Sequence, residues 1–141
     1  MRLILALTLL LSLVACSSTK PDPEDVVPVP ADRVLAYQQP LQAAGEVVVT
    51  RDFAWRGGGC YIALMIDREL AARVHVGEVV RLQVPAGQHI VSIGTDPLDD
   101  TLCGKLRMRR EKLAQVQAGQ TLEYRIIVDN EVGFDIVPLE R

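Results

Sequence analysis

The residues best suited to chemistry are two histidines, His75 and His89, three cysteines, Cys16, Cys60 and Cys103, three neighbouring aspartates, Asp96, Asp99 and Asp100, and a basic run, Lys105, Arg107, Arg109, Arg110 and Lys112. A histidine can activate a serine or cysteine nucleophile, but neither one here comes with a nucleophile elbow or a definable triad. His89 therefore reads as a side chain that flanks a turn and hydrogen-bonds locally. A structural zinc site usually pairs its ligands about two to four residues apart. Cys60, Cys103, His75 and His89 have no such spacing, and no metal is expected. The aspartates lack the alternating pattern, glycine and closing glutamate of a calcium loop and read as a solvated loop. Arg56-Gly57-Gly58-Gly59 lacks the Gly-Lys-Ser ending and following helix of a phosphate loop, so a hairpin turn is expected there. The basic run admits two readings: contact with an anionic glycan, lipid headgroup or partner, or charges guarding a strand edge against aggregation.

The chain start shows what happens to the first cysteine. Arg2 carries the only charge before an apolar run from Leu3 to Val14, which ends at the small residue Ala15. The run is shorter than the roughly 20 apolar residues that cross a bilayer, so it reads as an export signal over residues 1–15. Leu13-Val14-Ala15-Cys16 closely resembles the bacterial lipobox. The resemblance implies cleavage between Ala15 and Cys16, a diacylglycerol on the Cys16 sulfur and acylation of the new amine, an effectively permanent anchor. Ser17, next in line, resembles the sorting signal for the periplasmic face of the outer membrane. Setting Cys16 aside leaves Cys60 and Cys103, an even pair in an oxidising compartment, for which a disulfide is expected. It closes a loop of about 44 residues, with a chain-entropy contribution of roughly 4 kcal/mol. A reactive thiol is the alternative, without Cys-x-x-Cys spacing to support it.

Residues 16–44 follow as a tether. Pro21, Pro23, Pro28, Pro30 and Pro40 with Asp22, Glu24 and Asp25 give an extended composition that could span up to about 75 Å if fully stretched. From residue 45 to 141 the texture is strand and turn. Strands are expected at Val47–Arg51, Cys60–Ile66, Leu70–Val76, Val79–Val84, His89–Ile93, Met108–Val116, Gln120–Val128 and Val132–Val137. Cys60–Ile66 is apolar on both faces, as a central strand is. Leu122, Tyr124, Ile126 and Val128 alternate with Glu123 and Arg125, as in a half-buried strand. The fold class is thus mainly β: one small antiparallel sandwich or barrel-like domain behind a signal peptide and tether.

Two looser resemblances are carried by particular residues. Ile66-Asp67-Arg68-Glu69-Leu70, Val79–Val84 and Pro85-Ala86-Gly87-Gln88-His89 resemble the PEGA-type surface β-domain, departing from its pattern at Arg68, where a turn glycine is expected, and at Arg73. Arg51-Asp52, Gly58-Gly59-Cys60 and Cys103-Gly104 resemble a family of uncharacterised prokaryotic lipoproteins. Neither resemblance implies a catalytic activity. A dehydratase label sometimes given to short lipoproteins would require three cluster-ligating cysteines on a larger scaffold.

Formal charge is −3, without the basic footprint that a nucleic-acid partner requires. Two function classes stay open. One is a membrane-anchored envelope lipoprotein with a non-catalytic β-domain that contacts an envelope protein or peptidoglycan, without a cofactor. The other is a lipid-anchored periplasmic hydrolase with a site of unrecognised type.

Overall fold

A computed structural model describes residues 17–139. The expected lipidation and cleavage positions, Ala15 and Cys16, lie outside that range. The strands are β1 (Val27–Pro28), β2 (Ala44–Arg51), β3 (Ile62–Ile66), β4 (Glu69–Val74), β5 (Glu78–Pro85), β6 (Gly87–Thr95), β7 (Arg109–Val116), β8 (Thr121–Asp129) and β9 (Gly133–Pro138). They form two sheets, ordered β1-β5-β2-β8-β9 and β4-β3-β6-β7. The fold is a sandwich, and the sheets do not close into a barrel. One sheet departs from the antiparallel expectation, because β2 runs parallel to β8 and β1 parallel to β5. Between β2 and β8 the chain builds the whole four-stranded sheet, and this long crossover is what makes a parallel pairing possible.

Period-two alternation turns one face of each strand inward. Val47 and Val49 of β2, Val80, Leu82 and Val84 of β5, and Tyr124 and Ile126 of β8 meet Leu64, Ile66, Val91, Ile93 and Ala114 of the other sheet in one buried core. Burying each of the larger aliphatics contributes about 1.5–3 kcal/mol relative to exposure. As its double-sided apolarity implied, β3 lies inside its sheet between β4 and β6. Among the described residues no helix is long and apolar enough to cross a membrane.

The expected tether does not stand off from the domain, and this corrects the spacer reading from Ser18 onward. Thr19 bridges Phe53, β1 pairs with Glu78 and Val79, and Val34 bridges Ala72. Val29 is buried. Arg33 forms a two-pronged ion pair with Glu78, one prong at 2.8 Å, and donates to the Arg73 carbonyl at 2.9 Å. The physical reason is twofold. Val29, Val34 and Tyr37 add apolar contacts that the proline-rich composition masks, and the segment lies along β5 and β4, whose outer edges would otherwise be open to pairing with another chain.

Candidate functional site

Because β2 and β8 are parallel, their C-terminal ends lie together, and the long loops gather there. These are Asp52–Tyr61 and Asp96–Met108, with the three-residue connections His75–Gly77 and Asn130–Val132 beside them. The opposite end carries short connections at Asp67–Arg68, Ala86 and Gln117–Gln120.

The loop end is organised by Arg51. Inward alternation along β2 runs Val47, Val49, Arg51, so the register carries a guanidinium into the sandwich, where Arg51 is 1% exposed. It donates to the carbonyls of Gly57 (2.8 Å), Cys60 (2.7 Å) and Val74 (2.8 Å), joining the glycine loop to the end of β4. Burial lowers its pKa to about 10, and the more distant Glu78 only partly offsets that. The cation gives the Cys60 carbonyl a partner and adds one to that of Gly57, which also accepts the Cys60 N–H, as buried backbone groups require. Phe134 lies against it, 5.8 Å from the guanidinium carbon to the ring centroid. Gly57 has φ +68°, and a Cβ there would sit 2.6 Å from the Phe134 ring, so the loop's approach requires glycine.

Cys60 and Cys103 form the expected disulfide, with Cα atoms 5.5 Å apart. Beside it lies a cleft of about 470 Å³, lined by Leu102, Leu106, Met108, Val132, Phe134 and the disulfide itself, with Arg56, Arg107 and Arg110 among its walls. It sits where the sandwich is open between its edge strands β7 and β9.

The basic run is thereby divided. Arg110 points inward and donates to the Val132 carbonyl at 2.8 Å, and Lys112 reaches Asp135 at 3.7 Å across the gap between the sheets. These two act as edge guards, since inward-pointing charges on edge strands oppose intermolecular pairing. Arg109 pairs with Glu111 on the outer face. Lys105 and Arg107 stay exposed, and among the described residues neither has an ion-pair partner. Arg107 and Arg110 line the cleft, while Lys105, Arg109 and Lys112 do not.

The other candidates are held apart. His75 packs edge-on against Tyr61 at the loop end, with ring centroids 5.7 Å apart. His89 lies at the short-turn end, its Nδ1 2.6 Å from Asp67 Oδ2 and its Nε2 2.7 Å from the Pro85 carbonyl. This is the local bonding expected of a residue flanking a turn, and both ring nitrogens are occupied. Asp96 is buried against Arg73 at 2.7 Å and accepts the Leu98 N–H. Asp99 accepts both the hydroxyl and the N–H of Thr101, and these bonds hold its pKa below the usual carboxylate value.

Sequence reasoning missed Arg51 and Trp55. Arg51 was accessible in principle, because extending the Val47, Val49 alternation by one step places it inside. Trp55 is 98% exposed, and a lone tryptophan before a glycine run was a signal left unread. No family model, curated protein or solved structure matches this chain.

Proposed function

We propose that this is a non-catalytic envelope lipoprotein, anchored through Cys16 at the periplasmic face of the outer membrane, whose sandwich binds a segment of an envelope protein in the disulfide-walled cleft. The observation that supports this reading is the pairing of exposed apolar side chains with uncompensated cations. Leu102 is 79% exposed at the cleft, and among the described residues Arg56 and Arg107 beside it have no ion-pair partner. An apolar side chain flanked by carboxylates matches that chemistry better than a neutral glycan does. Exposed ion pairs contribute about 0.2–1 kcal/mol each, whereas burying a leucine contributes about 1.5–3 kcal/mol. Leu102 should therefore govern affinity, and the arginines should govern its salt dependence.

The test has two parts. Cys16→Ser should abolish incorporation of a fatty-acid probe, and equal labelling of mutant and wild type would refute the anchor. A photo-crosslinker at Val132 in intact envelopes should give a protein adduct that weakens strongly with Leu102→Ser and loses its salt dependence with Arg56→Gln plus Arg107→Gln. Co-sedimentation with purified peptidoglycan, unaffected by these changes, would transfer the partner to the cell wall.

A further inference from the structure

The first described residues are fastened to the loop end of the sandwich. Ser18 donates its N–H to the Val128 carbonyl (3.0 Å) and its hydroxyl to Asp52 (3.1 Å), and its oxygen accepts the Val128 N–H (3.0 Å). Thr19 and Phe53 exchange two backbone hydrogen bonds, at 2.9 and 3.0 Å. Asp52 is in turn held by Arg125 Nε at 3.0 Å. In the sequence Ser18 follows the expected lipidation position by two residues, at most about 7 Å of chain. A lipid on Cys16 would thus leave the chain within two residues of a fixed point on the domain.

Around that point the surface is apolar. Trp55, 98% exposed, and the half-open Phe53 form a shallow groove with Ser17, Thr19 and Val76, on the other side of the 55–60 loop from the disulfide cleft. Val27, also exposed, hydrogen-bonds Gly77 alongside it. The Phe53 ring occupies the space where a Cβ on Gly77 would stand, 2.5 Å away, so it is braced rather than free. Lys20 and Arg56 are exposed cations at this end, and Asp129 and Glu131 supply opposing charge on the β8–β9 turn. With charges of both signs present, apolar contact dominates over electrostatic attraction.

We propose that this groove seats on the lipid bilayer that holds the anchor, with Trp55 at the headgroup level. The proposal rests on the reading of Cys16 as the lipidated residue. A fully exposed indole, with an apolar body and one N–H donor, suits the membrane–water boundary. The fastening at Ser18 and Thr19 makes that boundary the nearest surface to the indole. Docking on the Trp55 side leaves the disulfide cleft open at the membrane's edge.

Trp55 is the only tryptophan in the chain, so intrinsic fluorescence reports on this site alone. The experiment uses the lipidated protein in vesicles of phosphatidylethanolamine and phosphatidylglycerol, with iodide as aqueous quencher and lipids brominated near the headgroup as membrane quencher. The reference is the lipidated double variant Trp55→Phe, Leu41→Trp, which moves the reporter to an exposed position near the short-turn end. Trp55 should be quenched by the brominated lipids and be about threefold less accessible to iodide than the reporter at position 41. Equal iodide access at both positions in protein that floats with the vesicles overturns the docking while leaving the anchor intact. Shielding from iodide without quenching by brominated lipid also overturns it, because the indole is then covered by protein. Failure to float overturns the anchor reading and the docking together.

Discussion

The two ends of the sandwich solve the same problem differently. At the short-turn end the connections are so brief that their polar groups are met locally: Asp67 accepts the Ile90 N–H at 2.8 Å and faces His89, and Ala86 and Gly119 donate to the Ala43 and Ala44 carbonyls, both at 2.9 Å. At the loop end local turns meet only part of the demand, as where Gly58 donates to the Trp55 carbonyl and Gly104 to that of Thr101. Buried charge adds the rest: Arg51 binds three carbonyls and Glu78 the His75 N–H, while the side-chain pairs of Asp52 with Arg125 and Ser18 and of Glu78 with Arg33 cross-link the segments. A disulfide adds a covalent tie. Irregular loops can present apolar side chains and unpaired cations to a partner only if something rigid holds them from beneath. The candidate site is therefore at the end with the most internal support.

The contrast can be broken most severely at Arg51. Arg51→Ala would remove the guanidinium from the carbonyls of Cys60 and Val74 and leave that of Gly57 with only the Cys60 N–H; at about 1–3 kcal/mol for each carbonyl left unsatisfied, the expected total is about 3–4 kcal/mol once water partly enters. His89→Ala, at the other end, should cost less than about 1 kcal/mol. Urea unfolding of both variants checks the difference, and equal losses would show that the ends are not differently held.

Replacing Cys60 and Cys103 together by alanine should lower stability by about 2–4 kcal/mol. Free-thiol titration of unreduced, unfolded protein should find neither thiol reactive. Two titratable thiols would remove the covalent tie from the account.

Acid acts on the loop end more weakly, through Glu78. Burial opposes its ionisation, but the Arg33 guanidinium and the His75 N–H outweigh burial and hold its pKa below the ordinary value. Its contribution is therefore complete above the unfolded carboxylate range and is lost as pH falls through the lower, folded value. Glu78→Gln should flatten the acid limb of a plot of thermal midpoint against pH. An unchanged limb would assign acid sensitivity to other carboxylates.

The smallest effect is expected at the short-turn end and has the opposite sign. Asp67 and Arg68 both have positive φ, 50° and 71°, in a two-residue hairpin turn that favours glycine at its second position. Arg68→Gly should raise stability by about 0.5–1 kcal/mol, read as an increased denaturation midpoint. A decrease would mean that the Arg68 side chain contributes more than its backbone strain costs.

Much of this architecture was legible before any coordinates. The alternation of Leu122, Tyr124, Ile126 and Val128, the double-sided apolarity of Cys60–Ile66 and the turn residues between runs gave every strand from β2 to β9 to within about three residues. Those signals are local: a pleated backbone repeats every two residues, and glycine and proline mark where it stops. The disulfide was legible for a different reason, since setting Cys16 aside leaves two cysteines with one pairing available.

What only the tertiary structure decided depends on neighbours distant in sequence. The basic run was a single cluster on paper. In three dimensions it divides, because β7 and β9 face each other across an open edge that turns Arg110 and Lys112 inward and leaves Arg107 at a cleft. The proline-rich stretch looked like a spacer, because composition does not show that exposed edges of β4 and β5 are waiting for it. Arg51 was expected only as the end of a strand; alternation alone puts it inside, but its three carbonyl partners were settled by the parallel pairing of β2 with β8, which brings loops from several parts of the chain over its guanidinium. Period and turn chemistry are properties of a few consecutive residues, so sequence alone determined them. Register between strands far apart, and the carbonyls or edges that each register exposes, are set by packing two whole sheets against each other, and no short stretch of the chain encodes that.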